Sequence, residues 1–200
     1  MKKENIQEIE LFARELSDKN IKYRFIDERW QKRGDVDIIV AKDDIKRFET
    51  VIYQKDFKRK GKWPPQTRSY KGFVNDEIIS LNAHVGGYIG GFGGGLGSLG
   101  QVLEPKDCST DYLSVTQQLF ILIYKYTSRK NKQKYEKEYH KLISQNPNLK
   151  ELYELSKLAF KNPKSITRNI QKRTEISKIK EKFTLTQSFK LKFRGLPNKI

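Results

Sequence analysis

Residues 34–40 read GDVDIIV, a run whose alternation fixes the character of the chain's first half. Successive side chains of an extended strand point to opposite faces, so Asp35 and Asp37 share one side while Val36, Ile38 and Val40 share the other. A strand with one apolar face and one acidic face needs a helix layer on the first and leaves the second open. The flanking sequence supplies such a layer. Upstream, residues 3–18 repeat Ile6, Ile9, Phe12, Ala13 and Leu16 at helical spacing, and IKYRFID at 21–27 alternates as a further strand. Downstream, 42–54 carries an acidic first turn and places Ile45, Phe48, Val51 and Ile52 on one helical face. Residues 56–76 hold Gly61, Pro64-Pro65 and Asn75-Asp76, which read as short strands joined by turns, and EIISLNAHV at 77–85 as another strand.

From Thr110 onward the pattern is helical. Ser109, Thr110 and Asp111 are candidate N-caps of an apolar helix containing LFILIYKY at 119–126, with further helices expected over 132–145, 148–161 and from Pro163. The expectation is an α+β chain: a small mixed sheet with helices on one face at 1–105, followed by a helical bundle with a basic tail at 106–200.

Two carboxylates spaced about 6–7 Å along one strand face repel each other, and a divalent cation relieves that repulsion. Mg²⁺, or Mn²⁺, held this way orients a triphosphate for nucleotidyl transfer. An acidic strand start also occurs simply at the margin of a sheet. In EIISLNAHV the apolar Ile79, Leu81, Ala83 and Val85 alternate with Ser80, Asn82 and His84, so a second strand presents a polar face. If the two strands are neighbours, Asn82 and His84 approach the aspartates. His84 is then a candidate catalytic or phosphate-contacting group, and equally a structural hydrogen-bonding residue.

The order helix, strand, connection, GDVDIIV, helix, further strands and helices, over about residues 3–146, resembles the DNA polymerase beta-like nucleotidyltransferase superfamily, in particular its small microbial members of poorly known substrate. The resemblance implies that Asp35 and Asp37 are the metal ligands, that a nucleoside triphosphate is the donor, and that a hydroxyl or phosphate is the acceptor. That family has a Gly-Ser turn before its acids; here the connection is IDERWQKRGD, and Arg29, Lys32 and Arg33 are the groups available for phosphate contacts. The family's third strand supplies another carboxylate, where this chain offers Asn82 and His84. A noncatalytic nucleic-acid-binding protein on such a scaffold is the alternative.

LNAHVGGYIGGFGGGLGSLG at 81–100 holds nine of thirteen glycines and no charged residue. Its place after the polar-faced strand suits a substrate-side lid, and suits equally a structural hairpin. It lacks the lysine-bearing phosphate-loop motif. Charge is uneven: residues 1–100 carry 19 basic and 15 acidic side chains, residues 101–200 carry 22 and 9, within a formal net charge of +17. The basic excess, densest over 161–200, points to a polyanionic partner such as nucleic acid or else to surface solubility. A single cysteine, Cys108, an N-terminus without an apolar core, and the absence of any run long enough for a membrane span lead to a cytoplasmic expectation, with oligomeric state open.

Overall fold

The computed structural model describes residues 2–28, 31, 34–61, 67–87, 103–128, 135–180 and 182. These fall into two compact units: residues up to 87 together with 103–113, and the residues from Ser114 on.

The first unit opens with α1, Lys3–Asp18, which buries Ile9, Phe12, Ala13 and Leu16. It stops because Asn20 takes a left-handed φ of 53°. The turned chain then returns two donors to the helix end, Ile21 N–H to the Leu16 carbonyl (2.9 Å) and Asn20 N–H to that of Ser17 (2.8 Å). Strand β1, Tyr23–Phe25, pairs antiparallel with β2, Asp35–Val40. A 3₁₀ turn at Lys42–Asp44 leads into α2, Ile45–Gln54, which buries Ile45, Phe48, Val51 and Ile52. Asp56 ends α2 as Asn20 ends α1, with φ 56° and Phe57 N–H on the Ile52 carbonyl. The short β3, Lys58–Arg59, the long β4, Thr67–Val74, and β5, Glu77–Val85, complete the central strands. Residues Asn75 and Asp76, both at positive φ, form the two-residue turn between β4 and β5, whose twist matches that of the strands.

The sheet is mixed, with order β3-β4-β5-β2-β1-β6, where β6 is Cys108–Tyr112. Strand β2 runs parallel to β5, and β1 parallel to β6. The apolar residues of α1 and α2 share one core with Val36, Ile38, Val40, Tyr70, Ile79, Leu81, Ala83 and Val85, so both helices lie on the same face of the sheet. Gly72 belongs to that packing: a Cβ there would lie 2.7 Å from the Phe57 ring. The fold is therefore α+β with a mixed sheet, and the expected strands at 35–40 and 77–85 and helix at 3–18 appear with those bounds.

One expectation is corrected. Ser109, Thr110 and Asp111 do not cap a helix; they lie in β6, which supplies hydrogen-bonding partners to the outer edge of β1. Leu113 N–H continues that pairing to the Phe25 carbonyl at 3.1 Å, and the helix is capped instead by Ser114, whose hydroxyl accepts from Gln117 N–H at 3.1 Å.

The second unit contains α3, Val115–Ser128, α4, Glu136–Ser144, α5, Leu149–Lys157, and α6, Pro163–Gln171. Leu119 to Tyr124 are all buried, as expected of a helix that is apolar on every side. Phe160 meets the rings of Phe120 and Tyr124 edge-on. Asn148 caps α5 by accepting from the backbone of Lys150 and Glu151; Asn162 caps α6, with Pro163 in its first turn. Among the described residues no helix is long and apolar enough to cross a membrane.

Tyr70 ties the sheet to α2 by donating to Glu49 Oε1 at 2.8 Å. Its burial, and then that hydrogen bond, push the phenol far above its ordinary range. A group raised in the folded state contributes stability that is complete below its unfolded pKa, about 10 for tyrosine, and is lost as pH climbs beyond it. Tyr70→Phe is therefore expected to cost about 1 kcal/mol at pH 8, through the lost hydrogen bond to Glu49, which Arg68 and Arg59 still pair, and to flatten the loss of stability above pH ~10. Urea midpoints of both proteins across pH 8–11 check this; parallel declines would refute it.

Candidate functional site

The open face of the sheet is built by register. Across the parallel β2–β5 pair, Asp35 lies opposite Ser80, Asp37 opposite Asn82 and Ile39 opposite His84. Across the antiparallel β4–β5 pair, Lys71 lies opposite Ser80, Ser69 opposite Asn82 and Thr67 opposite His84. Alternation sends Val36, Ile38, Leu81 and Ala83 into the core and leaves these residues together on the other side. Three rows result: Asp35–Ser80–Lys71, then Asp37–Asn82–Ser69, then Ile39–His84–Thr67. Arg24, opposite Ile39 on β1, extends the third row and forms an ion pair with Asp107 at 3.7 Å.

Asp37 is the best-supported group of the face. The Asn82 side-chain amide donates to Asp37 Oδ1 at 3.1 Å, and His84 Nε2 lies 3.6 Å from the same oxygen. Asn82 is itself oriented, because its Oδ1 accepts the Ser69 hydroxyl at 2.8 Å. Thr67 Oγ1 and His84 Nδ1 are 3.4 Å apart. The result is a polar chain from β4 through β5 to β2 that holds one carboxylate in place. Asp37 keeps 36% side-chain exposure while His84 is only 6% exposed, so the carboxylate is the more accessible of the two. Asp35 stands exposed at the entrance of the same strand.

Asp35, Asp37, Asn82 and His84 thus come together on one face. Arg29, Lys32 and Arg33 lie outside the described residues, as does the glycine stretch from 88 to 100. Its first members, Gly86 and Gly87, are at positive φ (60° and 72°), and Gly86 N–H donates to the Val40 carbonyl at 2.8 Å, so the chain turns as it leaves β5. Ser69, Thr67 and Lys71 are additions that the sequence reading missed. Their signal is the alternation of TRSYKGF at 67–73, which follows directly on the prolines and turn residues that obscured it.

The donor set is informative about cations. Among the described residues there is no group of three or more His, Cys, Asp and Glu side chains able to hold a metal ion. The Asn82 carbonyl oxygen is engaged by Ser69 and its amide is turned to Asp37, so Asn82 orients a carboxylate and does not offer it a companion oxygen. Asp35 and Asp37 are the two carboxylates on this face that could hold a hard cation of the Mg²⁺ type. No protein-family model, curated protein or solved structure matches the chain.

Proposed function

We propose that this protein is a metal-dependent nucleotidyltransferase, moving a nucleoside monophosphate from a nucleoside triphosphate onto a hydroxyl or phosphate acceptor, on a sheet of the DNA polymerase beta-like kind. The observation that carries the reading is the β2–β5 register, which sets Asp37 against Asn82 and His84 with Asp35 two residues away on the same face. Asp35 and Asp37 are the residues that hold Mg²⁺ or Mn²⁺. Bound there, such an ion neutralises phosphate charge and lowers the pKa of an attacking hydroxyl. Asn82 orients Asp37, with His84 beside it, and Lys71, in the row of Asp35, is available for a phosphate oxygen.

The noncatalytic alternative rests on a different observation: on and flanking α6 the side chains Lys161, Lys164, Arg168, Lys172 and Arg173 are all exposed, a cationic surface suited to nucleic acid. One experiment separates the two. The full chain is incubated with Mg²⁺ and α-labelled nucleoside triphosphates, against RNA, DNA and protein acceptors, and pyrophosphate release is followed together with label transfer. Pyrophosphate release that requires the cation supports the enzyme. Tight, salt-sensitive binding of nucleic acid with no release and no metal-dependent nucleotide binding would overturn it.

A further inference from the structure

At the end of the open face nearest Asp35, two large apolar side chains stand in solvent side by side. Phe73 is 74% exposed and Ile78 58% exposed, and they are register partners across the β4–β5 hairpin. Single exposed hydrophobics are ordinary on a protein surface. A paired aromatic and aliphatic side chain on a clamped hairpin, beside a polar site, is a different arrangement.

The clamp is explicit. Asn5, fully buried in α1, donates to Glu77 Oε2 at 2.5 Å and accepts from Asn75 Nδ2 at 2.9 Å, and Lys2 lies 3.7 Å from the other Glu77 oxygen. Both ends of the tight turn are thereby tied to the helix, and Phe73 and Ile78 are held at fixed positions. Alternation puts Phe73 on the face of Lys71 and Ser69, and Ile78 on the face of Ser80 and Asn82. With about 5 Å between strands and about 7 Å per two residues along them, the Phe73 Cα lies about 12 Å from that of Asp35, with Lys71 and Ser80 between. A nucleotide bound at the aspartates by its phosphates, and extended along the face, brings its base over this pair.

We propose that Phe73 and Ile78 form the platform on which the nucleobase of the donor nucleotide stacks, with Lys71 contacting a phosphate between platform and aspartates; the inference rests on the nucleotidyltransferase reading above. The occupant follows from the chemistry of the row: apolar surface for a planar ring, then an ammonium, then a carboxylate pair, the sequence base, phosphate, cation. Neither Phe73 nor Ile78 can donate to or accept from a base edge, so the platform grips by stacking and discriminates weakly among bases.

Calorimetric titration of the full chain with Mg·ATP, Mg·UTP and Mg·tripolyphosphate tests this. Phe73→Ala is expected to weaken both nucleotides, ATP about tenfold and UTP less, and to leave tripolyphosphate unchanged, since stacking acts on the base alone. Lys71→Gln should weaken all three alike, and Phe73→Trp should restore nucleotide binding. Because Phe73 is exposed, its alanine variant should melt within ~2 °C of wild type. If Phe73→Ala binds nucleotides as wild type does, the platform is wrong while the nucleotidyltransferase reading stands. If no probe binds in a manner requiring Asp35 and Asp37, that reading falls and the platform with it. A dimer in solution that dissociates in Phe73→Ala would assign the pair to an interface between copies of the chain.

Discussion

Asp35→Asn with Asp37→Asn is expected to abolish the response of the protein to Mg·nucleoside triphosphate altogether. For the wild type, ligand at about 100 times its Kd stabilises the folded state by about 2.7 kcal/mol. At about 2–4 °C per kcal/mol for a protein of this size, that raises Tm by about 5–10 °C. The double variant removes two negative charges and keeps the shape of both side chains, so a cation bound at Asp35 and Asp37 would lose both of its carboxylates while the strand is undisturbed. Asp35 is exposed and Asp37 partly so, and the unliganded variant should therefore melt within about 2 °C of wild type. The contrast is the point of the experiment: a full loss of ligand-induced stabilisation with an intact fold. Thermal melts with Mg²⁺ alone, nucleotide alone and both together measure it. A variant that still gains several degrees from Mg·nucleotide would place the cation elsewhere and sink the assignment of both aspartates.

Much of this site could be read from local pattern, and the division between what could and could not is physical. GDVDIIV and EIISLNAHV alternate except at Ile39 and Ile78, so their two faces follow from a period of two residues, with no knowledge of partners. Which strands are neighbours is a nonlocal fact. Asp37 and Asn82 are 45 positions apart, and only the parallel register shows that the amide reaches the carboxylate. That register also changed what Asn82 does, since the sequence leaves its carbonyl oxygen open to a metal and the structure gives it to Ser69.

Strand β6 failed for the opposite reason. CSTDY is rich in residues that cap helices, and nothing local reveals that the edge of β1 needs a partner there. Ile39 shows a similar limit: alternation puts it among polar groups, yet it is fully buried, so the third row of the open face is closed where the first is open. That gradient runs from Asp35 and Lys71, both exposed, to His84 and Ile39, both buried, and it directs any ligand toward the hairpin end of the sheet.

Asn82→Asp tests the site from the other direction, by adding what it lacks. In the wild type the Asn82 amide donates to Asp37 Oδ1, so the carboxylate of β2 has a donor beside it in the absence of any cation. Replacing that amide with a second carboxylate turns an attraction into repulsion, at a register position directly across the strand pair. Without metal, the variant should lose about 1–3 kcal/mol, the cost of exchanging the Asn82 hydrogen bond to Asp37 for a like charge. The Ser69 hydroxyl can still donate to the new side chain, which keeps it pointed along the same row. Adding Mn²⁺ or Mg²⁺ should recover most of that stability, since three carboxylates then share one cation. The affinity for the metal alone should rise by about tenfold or more, each factor of ten corresponding to about 1.36 kcal/mol of relieved repulsion. Thermal melts and metal titrations, with and without nucleotide, give both quantities. If the variant is as stable as wild type without metal, the hydrogen bond to Asp37 carries no weight. If it is destabilised and no cation rescues it, the open face is a structural polar ladder and the two aspartates do not hold a metal.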